Sequence, residues 1–153
     1  MKHIKLLNPS ALFLITFVTA MFFSWVYPWH LSLFFHSEMI RLTGVVILLT
    51  SFMVNILSYR AFKKSLTPHD PFSTPKVLIQ KGVFRFSRNP VYLALVLSQF
   101  GLGFVFDTVW LLVGALILWI MLHSIIVPDE EKILESTFNI EYVHYKQHTR
   151  RWF

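Results

Sequence analysis

Four runs of apolar residues, each free of charged side chains, divide the chain. The first lies between Lys5 and His30 and holds 24 residues. The second, between Arg41 and Arg60, and the third, between Arg88 and Asp107, hold 18 each. The fourth, between Asp107 and Asp129, holds 21 and is interrupted only by His123. An α-helix rises about 1.5 Å per residue, so even the shorter runs reach about 27 Å, close to the hydrocarbon thickness of a bilayer. In lipid the backbone must satisfy its own hydrogen bonds within each run, which makes the runs helices. The pattern predicts an all-α, multi-pass membrane protein with about four transmembrane helices, near residues 6–29, 40–60, 89–106 and 108–128.

After Pro128 the pattern changes. Asp129-Glu130-Glu131 opens a stretch in which Ile133, Leu134, Phe138, Tyr142 and Tyr145 recur at helical spacing. Lys132, Glu135, Glu141 and Lys146 fill the other face. Proline at the first position and acids in the first turn are start signals. An amphipathic helix is therefore predicted at about 129–149, packed under the membrane domain. The first run has the basic start of a signal peptide. Its length, and an ending in Tyr27-Pro28-Trp29 with no small-residue cleavage site, predict a retained helix with an aromatic belt. The connection at about 61–88 carries Pro68, Pro71, Pro75 and Gly82, too much proline for a continuous helix. His69 within it is expected to face solvent.

Composition supports this reading. Of 153 residues, 55% are hydrophobic and 14% charged, against about 25% charged in a soluble domain. The length fits a single membrane-embedded domain over 1–153. The absence of cysteine excludes disulfides, thiolate metal sites and cysteine nucleophiles. The net charge of +6 raises nucleic acid as a partner, but its distribution argues otherwise. With four spans, every Lys and Arg except Arg41 falls on one side. The positive-inside rule makes that side the cytoplasm and places both termini there, in the inner membrane if the cell is bacterial. The bilayer, not nucleic acid, is the expected partner.

Three polar clusters share that side. One is Lys81 to Tyr92, leading into the third span. Another is Asp129-Glu130-Glu131, leaving the fourth. The last is the tail ending in Arg150-Arg151-Trp152. Spans three and four form a hairpin, so Arg88, Asn89 and Tyr92 should lie close to Glu130 and Glu131. Taken singly, each has a plain structural role: Arg88 a membrane anchor, Tyr92 a belt residue, Asn89-Pro90 and Glu130-Glu131 helix starts. Together, a basic and an acidic cluster at a membrane surface suit a zwitterionic ligand.

Arg88-Asn89-Pro90-x-Tyr92, Glu130-Glu131 and Glu141-Tyr142-x-x-Tyr145, with Leu134 and Phe138 between, resemble the isoprenylcysteine carboxyl methyltransferase and phospholipid methyltransferase superfamily. Gly82-Val83-Phe84-Arg85-Phe86-Ser87 is similar to its usual lead-in. The resemblance covers about residues 67 to 152. Arg-Asn-Pro replaces the commoner Arg-His-Pro, Ala94 stands where a glycine is usual, and Phe138-Asn139 replaces Phe-Gly. Asparagine tolerates the left-handed conformation that glycine supplies.

The resemblance implies a multi-span, S-adenosylmethionine-dependent methyltransferase acting on a lipid or lipidated, isoprenylcysteine-like substrate from the bilayer. It implies that Arg88, Asn89, Pro90, Tyr92, Glu130 and Glu131 line the cofactor site, with Arg88 and Glu131 the catalytic pair and no metal. Methyl transfer from a sulfonium is a one-step displacement that needs alignment and electrostatics more than a covalent nucleophile. Arg88 suits the methionine carboxylate, and either glutamate suits a ribose diol or an amino group. His123, an ionisable residue inside a span, is either functional or bonded to a neighbouring helix. Asn55 is expected to bond between helices. Two other readings stand beside the methyltransferase: a sterol-reductase-type membrane enzyme using NADPH, and a non-catalytic membrane protein.

Overall fold

The computed structural model describes residues 8–33, 36–65 and 77–153, and they are all helix, turn or loop, without a strand. His69 and the prolines of the central connection lie outside the described residues. Helix α1 runs Pro9–Val26. It starts later than the apolar run because Asn8 caps it, accepting the Ser10 amide at 3.0 Å, with Pro9 at the first position. It stops at Val26 rather than 29, since a residue before proline is disfavoured in a helix and Tyr27 precedes Pro28.

Helix α2, Ser37–Lys64, is longer at both ends than the apolar run. Glu38 in its first turn and Lys63 and Lys64 in its last complement the helix dipole, so helix continues beyond the hydrocarbon. Helices α3, Pro90–Val105, and α4, Val109–Met121, form the hairpin. Asp107 makes the turn at φ 54°, and the Thr108 amide closes onto the Gly103 carbonyl at 2.9 Å.

Beyond α4 the structure corrects the expectation of two separate helices meeting at Pro128. A π turn, Leu122–Ile126, carries α4 directly into α5, Val127–His148. A proline crowds the carbonyl four residues earlier and cannot donate to the preceding turn. The wider turn accommodates both, with the Val127 amide reaching back to the Leu122 carbonyl. The break in helical conformation comes instead at Asn139, φ 46° and ψ −120°. It divides α5 into an inner half and an outer half with different directions.

The closest helix contact joins α2 and α3. Gly44, Ser51 and Ser58, seven residues apart, are buried along one stripe of α2. A Cβ on Gly44 would lie 2.8 Å from the Gly101 carbonyl, and the Ser51 hydroxyl donates to the Ala94 carbonyl at 2.7 Å. Small residues let backbones approach this closely in a membrane. Gln99 of α3 ties in α1 by accepting the Thr16 hydroxyl at 2.9 Å, and its amide nitrogen packs toward Gly114 of α4, where a Cβ would collide at 2.5 Å. Asn55 differs from expectation: it is exposed on α2, has no hydrogen-bond partner among the described residues, and lines a groove with Ser51, Ala94 and Ser98.

The outer faces carry large apolar side chains: Leu14, Val18 and Phe22 on α1, Leu49, Phe52 and Met53 on α2, Leu116 and Ile120 on α4. An apolar exterior of this extent fits lipid and not water. Among the described residues three helices, α1, α2 and the continuous rod through α4, are long and apolar enough to cross a membrane. The fourth, α3, has 16 residues and reaches about 24 Å. At one end of the bundle the loops are stitched together. The Trp110 indole donates to the Tyr27 carbonyl at 2.7 Å, and the Val109 amide to the Trp29 carbonyl at 3.1 Å. The Ser32 amide and hydroxyl donate to the Asp107 carboxylate at 2.8 and 2.5 Å. Burial raises the Asp107 carboxyl, but the two Ser32 bonds, nearby His30 and the Leu31 amide outweigh it and hold the group below its ordinary range.

Candidate active site

At the opposite end, the 3₁₀ turn Gly82–Arg85 is fixed to α2 and α5 before it delivers the Arg88–Tyr92 segment. Gly82 takes φ 68°, Phe84 packs its ring edge-on against Phe62, and the Tyr145 hydroxyl donates to the Phe84 carbonyl at 2.5 Å. Arg88 follows on a turn whose backbone is itself held, since its amide donates to the Arg150 carbonyl at 3.0 Å. Pro90 occupies the first position of α3 and is fully buried.

Glu131 lies at the centre. It is only 7% exposed and receives two arginines. Arg88 Nη1 stands 3.1 Å from Oε1. Arg151 grips both oxygens, Nε to Oε1 at 3.1 Å and Nη2 to Oε2 at 2.6 Å. This is the bidentate fork that a guanidinium forms with a carboxylate. Removing one partner of such a buried pair costs on the order of 3–5 kcal/mol. Arg88 Nη1 also donates to the Tyr142 hydroxyl at 3.3 Å, while Arg88 Nε is buried with no partner among the described residues. Burial and the Glu131 charge, offset in part by Arg88, push the Tyr142 hydroxyl up to about 12, so it remains a protonated hydrogen-bonding group.

Glu130 faces a different neighbour. Tyr92 donates its hydroxyl to Glu130 Oε1, and the second oxygen has no partner among the described residues. Asn89 turns toward the tail and donates its amide to the Arg151 carbonyl at 3.1 Å. The residues singled out from sequence are thus brought to one end of the bundle, but they divide the work. Glu131 is saturated by arginines, Glu130 keeps an open acceptor, and Asn89 binds the chain itself.

Three contributors were not among the site residues chosen from sequence. Arg151 grips Glu131, Tyr142 contacts Arg88, and Ser87 donates to the Arg151 carbonyl at 3.3 Å. The tail and the Tyr142-x-x-Tyr145 spacing were visible as features, but nothing local shows that residue 151 returns to residue 131. Ala94, where a glycine is usual, is buried in α3, and its carbonyl accepts the Ser51 hydroxyl of α2. His123 bonds the tail: its Nδ1 accepts the Trp152 indole N–H at 3.0 Å.

The phospholipid methyltransferase family model matches residues 39–141, from α2 through the inner half of α5. The chain belongs to this family. Its members are S-adenosylmethionine-dependent membrane methyltransferases with lipid-type substrates. The matched span contains Arg88, Tyr92, Glu130 and Glu131, while Arg151 and Trp152 lie beyond it. No individual curated protein matches the chain.

Proposed function

We propose that this phospholipid methyltransferase family protein transfers the methyl group of S-adenosylmethionine to a lipid or isoprenylcysteine-like lipidated acceptor. The observation that carries the reading is a buried guanidinium with an unused donor. Arg88 is held in place by Glu131, yet its Nε–H has no partner among the described residues. A buried donor left unsatisfied costs about 1–3 kcal/mol, and here it belongs to a charged guanidinium at the same end of the bundle as Glu130, so an acceptor arriving from outside the chain would relieve that cost. The methionine carboxylate of the cofactor supplies one. Glu130, with one oxygen held by Tyr92 and the other without a partner among the described residues, suits the amino group or a ribose hydroxyl.

In this assignment Arg88 and Glu130 bind, and Glu131 orients. Tyr92 fixes the rotamer of Glu130, and Tyr142 shares the load on Arg88. The cofactor, when bound, supplies an electrophilic methyl on a sulfonium. The chain's contribution is to hold it in line with an acceptor entering from the bilayer, with no covalent intermediate. The basic residues gathered at this end support a cytoplasmic orientation for it.

One assay tests chemistry and sidedness together. Sealed vesicles of both orientations receive methyl-labelled S-adenosylmethionine from outside. Inside-out vesicles should transfer label to organic-extractable lipid, and right-side-out vesicles should not. Label transfer only in right-side-out vesicles would reverse the orientation. Saturable NADPH oxidation with no label transfer in either would favour a reductase.

A further inference from the structure

The last residues of the chain form a strap across the site. After α5 ends at His148, the Arg150 carbonyl accepts the Arg88 amide at 3.0 Å, and the Arg151 carbonyl accepts from Asn89 at 3.1 Å and Ser87 at 3.3 Å. These bonds hold the strap's backbone but do not fix which way the Arg151 side chain points. Trp152 completes the fixation on the far side. Its indole donates to His123 Nδ1, and its ring lies 6.2 Å from Trp119, on which the His123 ring is stacked at 5.3 Å. His123 sits within the π turn. Eight residues of regular helix would rotate Glu131 about 80° away from it. The wider turn takes up part of that rotation, so one rod presents both the residue that receives Trp152 and the carboxylate that receives Arg151.

We propose that His123 and Trp152 are positioning residues for the cofactor site. Their hydrogen bond pins the strap so that Arg151 holds Glu131, and Glu131 in turn holds Arg88 with its free Nε–H toward the ligand. Neither residue touches the cofactor. The inference rests on the cofactor reading above, but the bond between a spanning-helix histidine and the penultimate residue is a separate observation.

The test uses the full chain in lipid nanodiscs and S-adenosylhomocysteine as the probe. Trp152→Phe keeps the ring and removes the donor, and His123→Phe keeps a stacking ring and removes the acceptor. Each should raise Kd about five- to tenfold, the effect of one lost hydrogen bond. The double variant should be no weaker than either single one, because both remove the same bond. His123→Gln, which restores an acceptor, should recover part of the affinity. In turnover the KM for S-adenosylmethionine should rise while kcat holds. If Arg88→Ala loses binding but the two pin variants bind as wild type, or their effects multiply, the pin is not a positioning device and the site assignment stands. If Arg88→Ala itself binds as wild type, the site assignment fails and takes this inference with it.

Discussion

At the scale of single residues, Asn139 shows how local chemistry carries over into geometry. The sequence placed an asparagine where the family favours glycine, and the backbone there takes φ 46°. With ψ at −120° the residue lies outside the left-handed helical region that asparagine tolerates, in a conformation that glycine adopts most readily. The kink turns the outer half of α5 so that Tyr142 and Tyr145 face Arg88 and the Phe84 carbonyl, while Ile140 is 85% exposed. Asn139→Gly should raise the melting temperature by a few degrees. Asn139→Val should lower stability by on the order of 1–3 kcal/mol and weaken the Tyr142–Arg88 contact. Thermal unfolding of the three proteins decides this, and equal stability for Val and Gly would show that the kink carries no strain. Residue identities such as Arg88 and Glu131 were legible because topology alone puts a hairpin's ends side by side. Their division of labour was not, since sequence cannot say which of two adjacent carboxylates an arginine from twenty residues away will occupy.

At the scale of elements, helix existence followed from the apolar runs, and helix ends did not. Charge marked where hydrocarbon ends, but α2 continues through Arg60 to Lys64 because helix is compatible with both solvents. The join between α4 and α5 was hidden for a related reason. Pro128 reads as punctuation, and only the π turn before it makes the rod continuous. Asp107 offers an element-level test, since it connects the α3–α4 turn to Ser32. Its folded-state carboxyl lies below the ordinary value, so its stabilisation is present above the unfolded pKa of about 3.9 and is lost as pH falls through the lower folded one. Asp107→Asn should therefore lower the melting temperature by about 2–4 °C at neutral pH, the shift of roughly one lost hydrogen bond. The gap to wild type should close as pH falls below about 4. A gap that persists unchanged to low pH would mean the carboxylate's charge is irrelevant to the junction.

At the scale of the whole molecule, the two ends of the bundle differ in kind. One is stitched by Ser32, Asp107, Trp110 and backbone carbonyls, and among the described residues it leaves a neutral hydroxyl, Thr108 Oγ1, buried without a partner. The other gathers arginines and glutamates and, among the described residues, leaves Arg88 Nε and an oxygen of Glu130 without partners. The gathering of charge at the second end, together with the family match, supports a cofactor site there. The most direct measurement is calorimetric titration of S-adenosylhomocysteine into the wild type, Arg88→Lys and Glu130→Gln. Wild type should bind with one site. Lysine keeps the charge but offers no fork and no Nε–H, so Arg88→Lys should weaken binding about 10- to 100-fold. Glu130→Gln should weaken it about tenfold or more while both variants keep the wild-type fold by circular dichroism. Wild-type affinity in both variants, or no binding by the wild type, would contradict the placement of the cofactor at this cluster.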